Sequence, residues 1–164
     1  MSEFRIERLH TQDRGDFACG VEALDRYLQT QASQEVRRRY AVCYLLIESS
    51  SKRVAGYYTL SASCVPVVDL PTDLSQHLPR YPSVPVARIG RLAIDLKFRS
   101  RGLGGALLYD AVKRSSVGGL GVYAIVVDAK DEPAAGFYEH FGFLRLSSQP
   151  LVLFLPISEG LRKL

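Results

Sequence analysis

The stretch that most constrains this chain is Arg99-Ser100-Arg101-Gly102-Leu103-Gly104-Gly105. The run Ile89-Gly90-Arg91-Leu92-Ala93-Ile94 before it reads as an apolar strand. After it, Leu103, Ala106, Leu107, Ala111 and Val112 recur at spacings of three and four, the period of a helix. Three glycines and three guanidinium or hydroxyl side chains thus sit where a strand becomes a helix. A helix N-terminus presents unpaired backbone N–H groups and the positive end of the dipole, so it favours anions. Glycine lets that backbone approach a ligand closely and take positive φ. The turn therefore predicts a phosphate or pyrophosphate site.

At 164 residues, with 47% hydrophobic and 23% charged side chains, the chain is expected to fold as one globular domain over residues 1–164. No apolar run approaches the ~20 residues of a spanning helix. The start Met1-Ser2-Glu3-Phe4-Arg5 does not read as a signal peptide, so a cytoplasmic location is expected. Cys19, Cys43 and Cys64 are odd in number and lack metal-ligand spacing, which predicts free thiols and no metal site. Between Arg80 and Arg101 stand six basic residues (Arg80, Arg88, Arg91, Lys97, Arg99 and Arg101) against one acid, Asp95. That concentration around the glycine turn suits an anionic cofactor, an anionic macromolecule or both. Arg37-Arg38-Arg39 lies beside no motif and reads as a solvated helix end.

In chain order, Phe4–Leu9 alternates as a short strand, and Val21, Leu24, Leu28 and Ala32 carry helical spacing into the arginine cluster. Tyr40–Glu48 and Val54–Ser63 read as a hairpin around the polar turn Ser49–Arg53. Five of the eight prolines fall between Pro66 and Pro85, predicting a loop with one helical turn near Thr72–His77 that could wall a substrate site. Beyond the glycine turn, the helix is expected to end at Ser115–Gly119, and Leu120–Val127 to form a buried strand. Asp131 reads as the N-cap of a short helix over Ala134–Phe141, followed by Gly142 and closing strands Phe143–Leu146 and Leu151–Leu155. Hairpins early and helix-linked strands late predict an α/β fold with a mixed, mostly antiparallel sheet.

Arg99-x-x-Gly102-x-Gly104 at a strand-to-helix turn resembles the acetyl-CoA pyrophosphate loop of the GCN5-related N-acetyltransferase (GNAT) family. Asp131-x-x-Ala134-x-x-Phe137-Tyr138-Glu139-x-Phe141-Gly142-Phe143 is similar to that family's final helix and turn. The resemblance covers nearly the whole chain and implies a GNAT fold, a twisted sheet of about six to seven strands with about four helices. Phe17-x-Cys19-Gly20-x-x-x-Leu24-Asp25-x-Tyr27-Leu28, Val54–Ser61 and Gly90–Asp95 further resemble the acetyltransferase toxins of toxin–antitoxin pairs. Those toxins acetylate the α-amine of aminoacyl-tRNA, stop translation, and are neutralised by a partner with a ribbon-helix-helix domain.

The resemblance assigns roles residue by residue. The backbone of Arg101–Gly105, with Ser100 before it, would hold the pyrophosphate of acetyl-CoA, Arg99 and Arg101 adding charge. Leu92, Ala93 and Ile94 would offer backbone groups to the pantetheine arm and the acetyl carbonyl, as a strand edge can. Where the family usually has Asn, this chain has Asp131, which favours a helix cap over a cofactor contact. Tyr138 is the catalytic candidate: an ordinary tyrosine giving a proton to a thiolate is uphill by only ~2 kcal/mol. No general base stands out, although Glu132, Asp95, Glu139 and His140 are candidates. An α-amine, near 7.7–8.0, needs a base far less than a lysine near 10.4, so the absence favours aminoacyl-tRNA. Arg91, Arg88, Arg80 and Lys97 would meet tRNA phosphates. The resemblance leaves room for a homodimer, and the sequence leaves the oligomeric state open. The competing readings are the same chemistry on a small-molecule amine, a peptide N-terminus or a protein lysine, and a non-catalytic binding module.

Overall fold

The computed structural model describes residues 2–164. Seven strands are hydrogen-bonded in the order β1-β2-β3-β4-β5-β7-β6. Phe4–Arg8 forms β1, Val42–Glu48 β2, Val54–Pro66 β3, Ser83–Ile94 β4, Ala124–Asp128 β5, Leu144–Arg145 β6 and Val152–Pro156 β7. The β1–β2, β2–β3, β5–β7 and β6–β7 pairs are antiparallel, whereas β4 and β5 run parallel. The mixed, mostly antiparallel sheet matches the expectation. The helices are α1 (Glu22–Arg26), α2 (Ala32–Arg37), α3 (Thr72–Ser75), α4 (Leu103–Val117), α5 (Glu132–His140) and α6 (Ile157–Lys163). No helix among the described residues is long and apolar enough to cross a membrane.

The chain divides into two units, one holding the residues up to Ser61 with Gly90–Leu107, the other Ala62–Ile89 with Leu108–Leu164. In the first, α1 and α2 are joined by a π-helical segment, Tyr27–Gln31, closed by the Ala32 N–H donating to the Tyr27 carbonyl. The extra residue in that turn brings Tyr27 and Leu28 inward together, both fully buried. Tyr27 stacks on Tyr57 with centroids 6.2 Å apart, and Phe17 meets the Tyr57 ring edge-on at 5.4 Å. The Tyr57 hydroxyl donates to the Leu24 carbonyl at 2.7 Å, tying helix to strand. Cys19 and Cys43 are buried in this core, which pushes their thiols up to about 11 and about 12. They stay protonated and unreactive at neutral pH. All three cysteines are free, but only Cys19 and Cys43 are buried; Cys64, in the second unit, is exposed where a buried or half-buried thiol is expected.

The β2–β3 register shifts once: Leu46 faces Gly56 and Ile47 faces Val54, so Ala55 is an extra residue on β3. Its carbonyl accepts from the Asp95 N–H at 2.8 Å. Beside it, a Cβ on Gly56 would stand 2.7 Å from Ile94 Cδ1 and 2.9 Å from the Ala93 carbonyl oxygen. Only glycine lets the backbone of β4 come this close.

In the second unit, residues 124–127 of β5 are buried throughout, the pattern of a strand covered on both faces. The strand starts later than expected, because Gly119 takes φ +84° and leaves Leu120 76% exposed. β4 starts earlier, at Ser83, and includes Pro85. That proline lacks an N–H but still serves the ladder, its carbonyl accepting from the Tyr123 N–H at 2.8 Å. The Pro66–Pro85 loop contains the expected helical turn as α3. Helix α6 lies beyond the last element read from the sequence, and it carries a glycine, Gly160, in its interior. Its reason is packing: a Cβ there would lie 3.0 Å from Val112 Cγ1.

Candidate active site

Two places carry the residues singled out from sequence. The first is the turn between β4 and α4. Arg99 is extended (φ −67°, ψ 162°). Ser100 is left-handed at φ +62° and Gly102 at φ +72°, while Arg101 between them is not left-handed. Alternation of this kind turns successive backbone N–H groups to one side and forms a concave anion-binding nest. Around Gly102 a Cβ would meet nothing within 4 Å, so its conformation, not crowding, calls for glycine. Helix α4 then starts at Leu103, the Ala106 N–H reaching the Gly102 carbonyl at 3.2 Å. The N–H groups of Leu103, Gly104 and Gly105 precede any i−4 partner and add the helix-start field to the nest.

The two arginines of the turn are engaged within the protein rather than extended toward a ligand. Arg99 Nη2 donates to the Cys19 carbonyl at 2.6 Å and pins the Cys19–Gly20 loop. Arg101 pairs with Glu3 and lies 5.0 Å from the Phe4 ring centroid. Both side chains therefore hold the geometry of the segments around the turn.

Immediately before the turn, the β4–β5 register runs from Val86↔Ala124 to Ile89↔Val127 and ends. Ala93 is buried, and Leu92 and Ile94 are half-buried. Arg91, expected to meet tRNA phosphates, is held against Tyr27. Its guanidinium lies 3.6 Å from the Tyr27 ring centroid, a cation–π stack, and its N–H donates to Thr59 Oγ1 at 3.1 Å. Tyr27 in turn donates to Glu35 Oε1 at 2.9 Å.

The second place is α5. Asp131 caps it, with Oδ1 accepting from the Ala134 N–H at 2.9 Å, so the cap expected from sequence is present. Asp131→Ala is expected to cost about 1 kcal/mol of stability, read from the denaturant midpoint. Tyr138 is 6% exposed, its ring 5.2 Å from Phe137 and 5.7 Å from Phe143. Its hydroxyl makes no hydrogen bond among the described residues. Burial pushes it up to about 12. A donor-capable, protonated hydroxyl with no protein acceptor is available to a ligand atom.

Three of the four candidate bases are engaged within the protein. Asp95 is buried, Oδ2 accepting from the Ala18 N–H at 3.0 Å and Oδ1 from the Lys97 N–H at 2.8 Å, so it is a cap and loop clasp. Glu132 and Glu139 share Arg145, at 2.8 and 3.0 Å, which holds the Glu132 carboxyl below the usual range. His140 is exposed, edge-on to Phe141 at 5.1 Å. Arg88 is paired with Asp128 at 2.6 Å and also reaches Ser63 Oγ at 3.3 Å, so its charge is met within the protein. Arg80 and Lys97 are exposed. Among the described residues no cluster of metal-ligating side chains forms.

Sequence reasoning missed Gly56 and the Tyr27–Arg91 stack. An isolated glycine in an apolar strand signals a bulge or close approach and was the available sign for the first. Nothing in one sequence marks a cation–π pair 64 residues apart.

The acetyltransferase (GNAT) family model matches residues 7–143. A tRNA-acetylating toxin of Mycobacterium tuberculosis is 34% identical over 150 residues, covering 90% of this chain and 88% of the toxin. The structure of AtaT complexed with acetyl-methionyl-tRNAfMet superposes with a TM-score of 0.87 at 31% identity, over 94% of this chain and 95% of AtaT. A variant AtaT toxin bound to the C-terminus of the antitoxin AtaR and acetyl-CoA gives 0.80 at 29% identity, over 96% and 95%. A family match across most of the chain joins the glycine turn and the capped helix bearing Tyr138, and the protein belongs to the GNAT acetyltransferase family.

Proposed function

We propose that this protein transfers the acetyl group of acetyl-CoA to the α-amine of aminoacyl-tRNA and acts as the toxin of a toxin–antitoxin pair. The observation that carries this reading is the nest at Ser100–Gly102 opening into α4, in a chain 34% identical to a tRNA-acetylating toxin. The residues fit the cofactor: backbone donors at Arg101–Gly105 suit its pyrophosphate, and the amides of Leu92, Ala93 and Ile94 suit its extended arm. Bound there, acetyl-CoA supplies an activated acetyl thioester.

Tyr138 is the group that would meet the departing sulfur. At about 12, against about 8.5 for an ordinary thiol, full proton transfer is uphill by about 5 kcal/mol. That exceeds the ~2 kcal/mol expected of an ordinary tyrosine. Tyr138 therefore works chiefly by hydrogen-bond donation to developing charge, the proton arriving fully only as that charge completes. Asp131 acts through α5 as its cap, not on the cofactor. Asp95, Glu132 and Glu139 are engaged elsewhere and His140 is exposed on α5, so the reading favours an acceptor amine that needs little help to deprotonate, as an α-amine does. The whole of residues 1–164 acts as one N-acetyltransferase domain. The antitoxin is of ribbon-helix-helix type, and the toxin pairs as a homodimer.

The test offers labelled acetyl-CoA with charged tRNA, uncharged tRNA, free amino acids and a lysine peptide. Label is expected on charged tRNA alone, released as the N-acetyl amino acid by mild base. Label confined to peptide or free amines overturns the acceptor assignment. No transfer to any acceptor overturns the enzyme reading.

A further inference from the structure

Helix α2 ends in a way its own backbone does not favour. Arg38 is its C-cap, and the next residue, Arg39, is left-handed at φ +63°. The Arg39 N–H donates to the Val36 carbonyl at 3.1 Å and the Tyr40 N–H to the Glu35 carbonyl at 2.9 Å. This pair of bonds is the Schellman motif, whose left-handed position is ordinarily glycine because a Cβ is strained there. An arginine keeps that place only at a cost to the fold.

The side chains around it find no use within the molecule. Arg37, Arg38 and Arg39 are all exposed, with no side-chain hydrogen bond or ion pair among the described residues. The helix-dipole reading asks for one cation in the last turn, and Arg37 supplies it. It does not account for Arg39 lying beyond the helix in a strained conformation. Tyr40 occupies the position that usually packs back onto the helix, yet it is 76% exposed. The residue it would cover, Glu35, is instead hydrogen-bonded to Tyr27. Three unneutralised guanidinium groups thus stand beside one bare aromatic ring, all on a turn held by two backbone bonds.

We infer that Arg37–Tyr40 is an RNA-docking surface, its arginines taking backbone phosphates and Tyr40 stacking on an unpaired base of the tRNA. Phosphate contacts by arginine and base stacking on an exposed aromatic are the two elements of RNA recognition outside a duplex. The strain at Arg39 is the expected mark of a residue kept for what its side chain binds. The surface is made of residues separate from those assigned to acetyl transfer. It would contribute affinity for the tRNA body without touching the reacting amine. This inference rests on the aminoacyl-tRNA reading above.

The test compares wild type, Arg39→Gly, the triple variant Arg37→Gln/Arg38→Gln/Arg39→Gln, and Tyr40→Ala. Two acceptors are used: full-length charged tRNA, and a short aminoacyl-nucleotide fragment that lacks the tRNA body. Arg39→Gly is expected to raise the Tm by about 2–4 °C, since glycine relieves the left-handed strain. The same variant should lower kcat/KM for tRNA several-fold. For the triple variant the loss should be tenfold or more, with the slope of log affinity against log salt shallower by about two to three. Tyr40→Ala should weaken tRNA about tenfold with the salt slope unchanged. All variants should acetylate the short fragment at the wild-type rate. Wild-type efficiency and salt slope in the triple variant would overturn the inference. Variants that lose binding to an acidic antitoxin segment but acetylate tRNA normally would overturn it too, assigning the surface to protein. If wild type acetylates neither acceptor, the aminoacyl-tRNA reading fails and the docking surface with it.

Discussion

Tyr138→Phe is expected to lower kcat for acetyl transfer by about 10²–10³-fold, the size of a lost general acid or donor. The fold should not notice the change. The hydroxyl makes no hydrogen bond among the described residues, whereas the ring packs between Phe137 and Phe143 and is retained in phenylalanine. Stability within about 0.5 kcal/mol of wild type is therefore expected, as for substitutions that break no network. KM for acetyl-CoA should hardly move, because the turn at Ser100–Gly105 is untouched. The pH profile gives a second readout. Burial penalises the phenolate and pushes Tyr138 up to about 12, so the hydroxyl stays protonated through the range where an ordinary tyrosine would ionise near 10. No loss of kcat assignable to this group should occur below about pH 11. Full activity in the Phe variant, or an alkaline limb near 10 that vanishes with it, would overturn this account of the residue.

Gly56→Ala is the second large effect, and it acts through geometry rather than chemistry. The added Cβ would stand 2.9 Å from the Ala93 carbonyl oxygen and 2.7 Å from Ile94 Cδ1. The side-chain tip can rotate away, but the carbonyl is backbone and must shift with β4. A cost of about 1–3 kcal/mol in stability is expected, as for overpacking elsewhere. Because Ala93 and Ile94 are assigned to the cofactor arm, the variant that folds should show KM for acetyl-CoA raised by about tenfold, as a strand edge displaced by a fraction of an ångström misaligns its donors. Gly136→Ala is the matched control. On α5 a Cβ there meets nothing within 4 Å, and removing a helix glycine should stabilise by up to about 1 kcal/mol. If Gly56→Ala is as benign as Gly136→Ala, the close approach of β3 to β4 is not what glycine is there for.

Much of this molecule is decided within short windows of chain. The nest is legible in Arg99–Gly105 because positive φ is a local demand that glycine meets. Asp131 is legible as a cap because its side chain bonds a backbone N–H only three residues on. The hairpin of β2 and β3 shows itself through apolar strands flanking a polar turn. Where the reading from sequence departed from the structure, the cause is a local turn in one case and contacts between distant residues in the others. Leu120 looks like strand until Gly119 turns the backbone away, and the glycine inside α6 finds its reason only against Val112. The basic residues are the clearest case. Arg88, Arg91, Arg99 and Arg101 form one charge concentration in sequence, yet each is spent on a separate partner: Asp128, Tyr27, Cys19 and Glu3. Arg37–Arg39, read as a solvated helix end, is indeed exposed at the end of α2, and among the described residues its charge is unpaired.

By itself, then, the sequence determined the glycine turn that opens α4, the capped helix carrying Tyr138 and the family they belong to. These depend on backbone conformation and residue spacing, which neighbours a few positions away dictate. Only the tertiary structure decided which cations remain free, which carboxylates are already committed and how acidic Tyr138 is. Those properties follow from desolvation and from partners brought together by folding, and no local pattern encodes them.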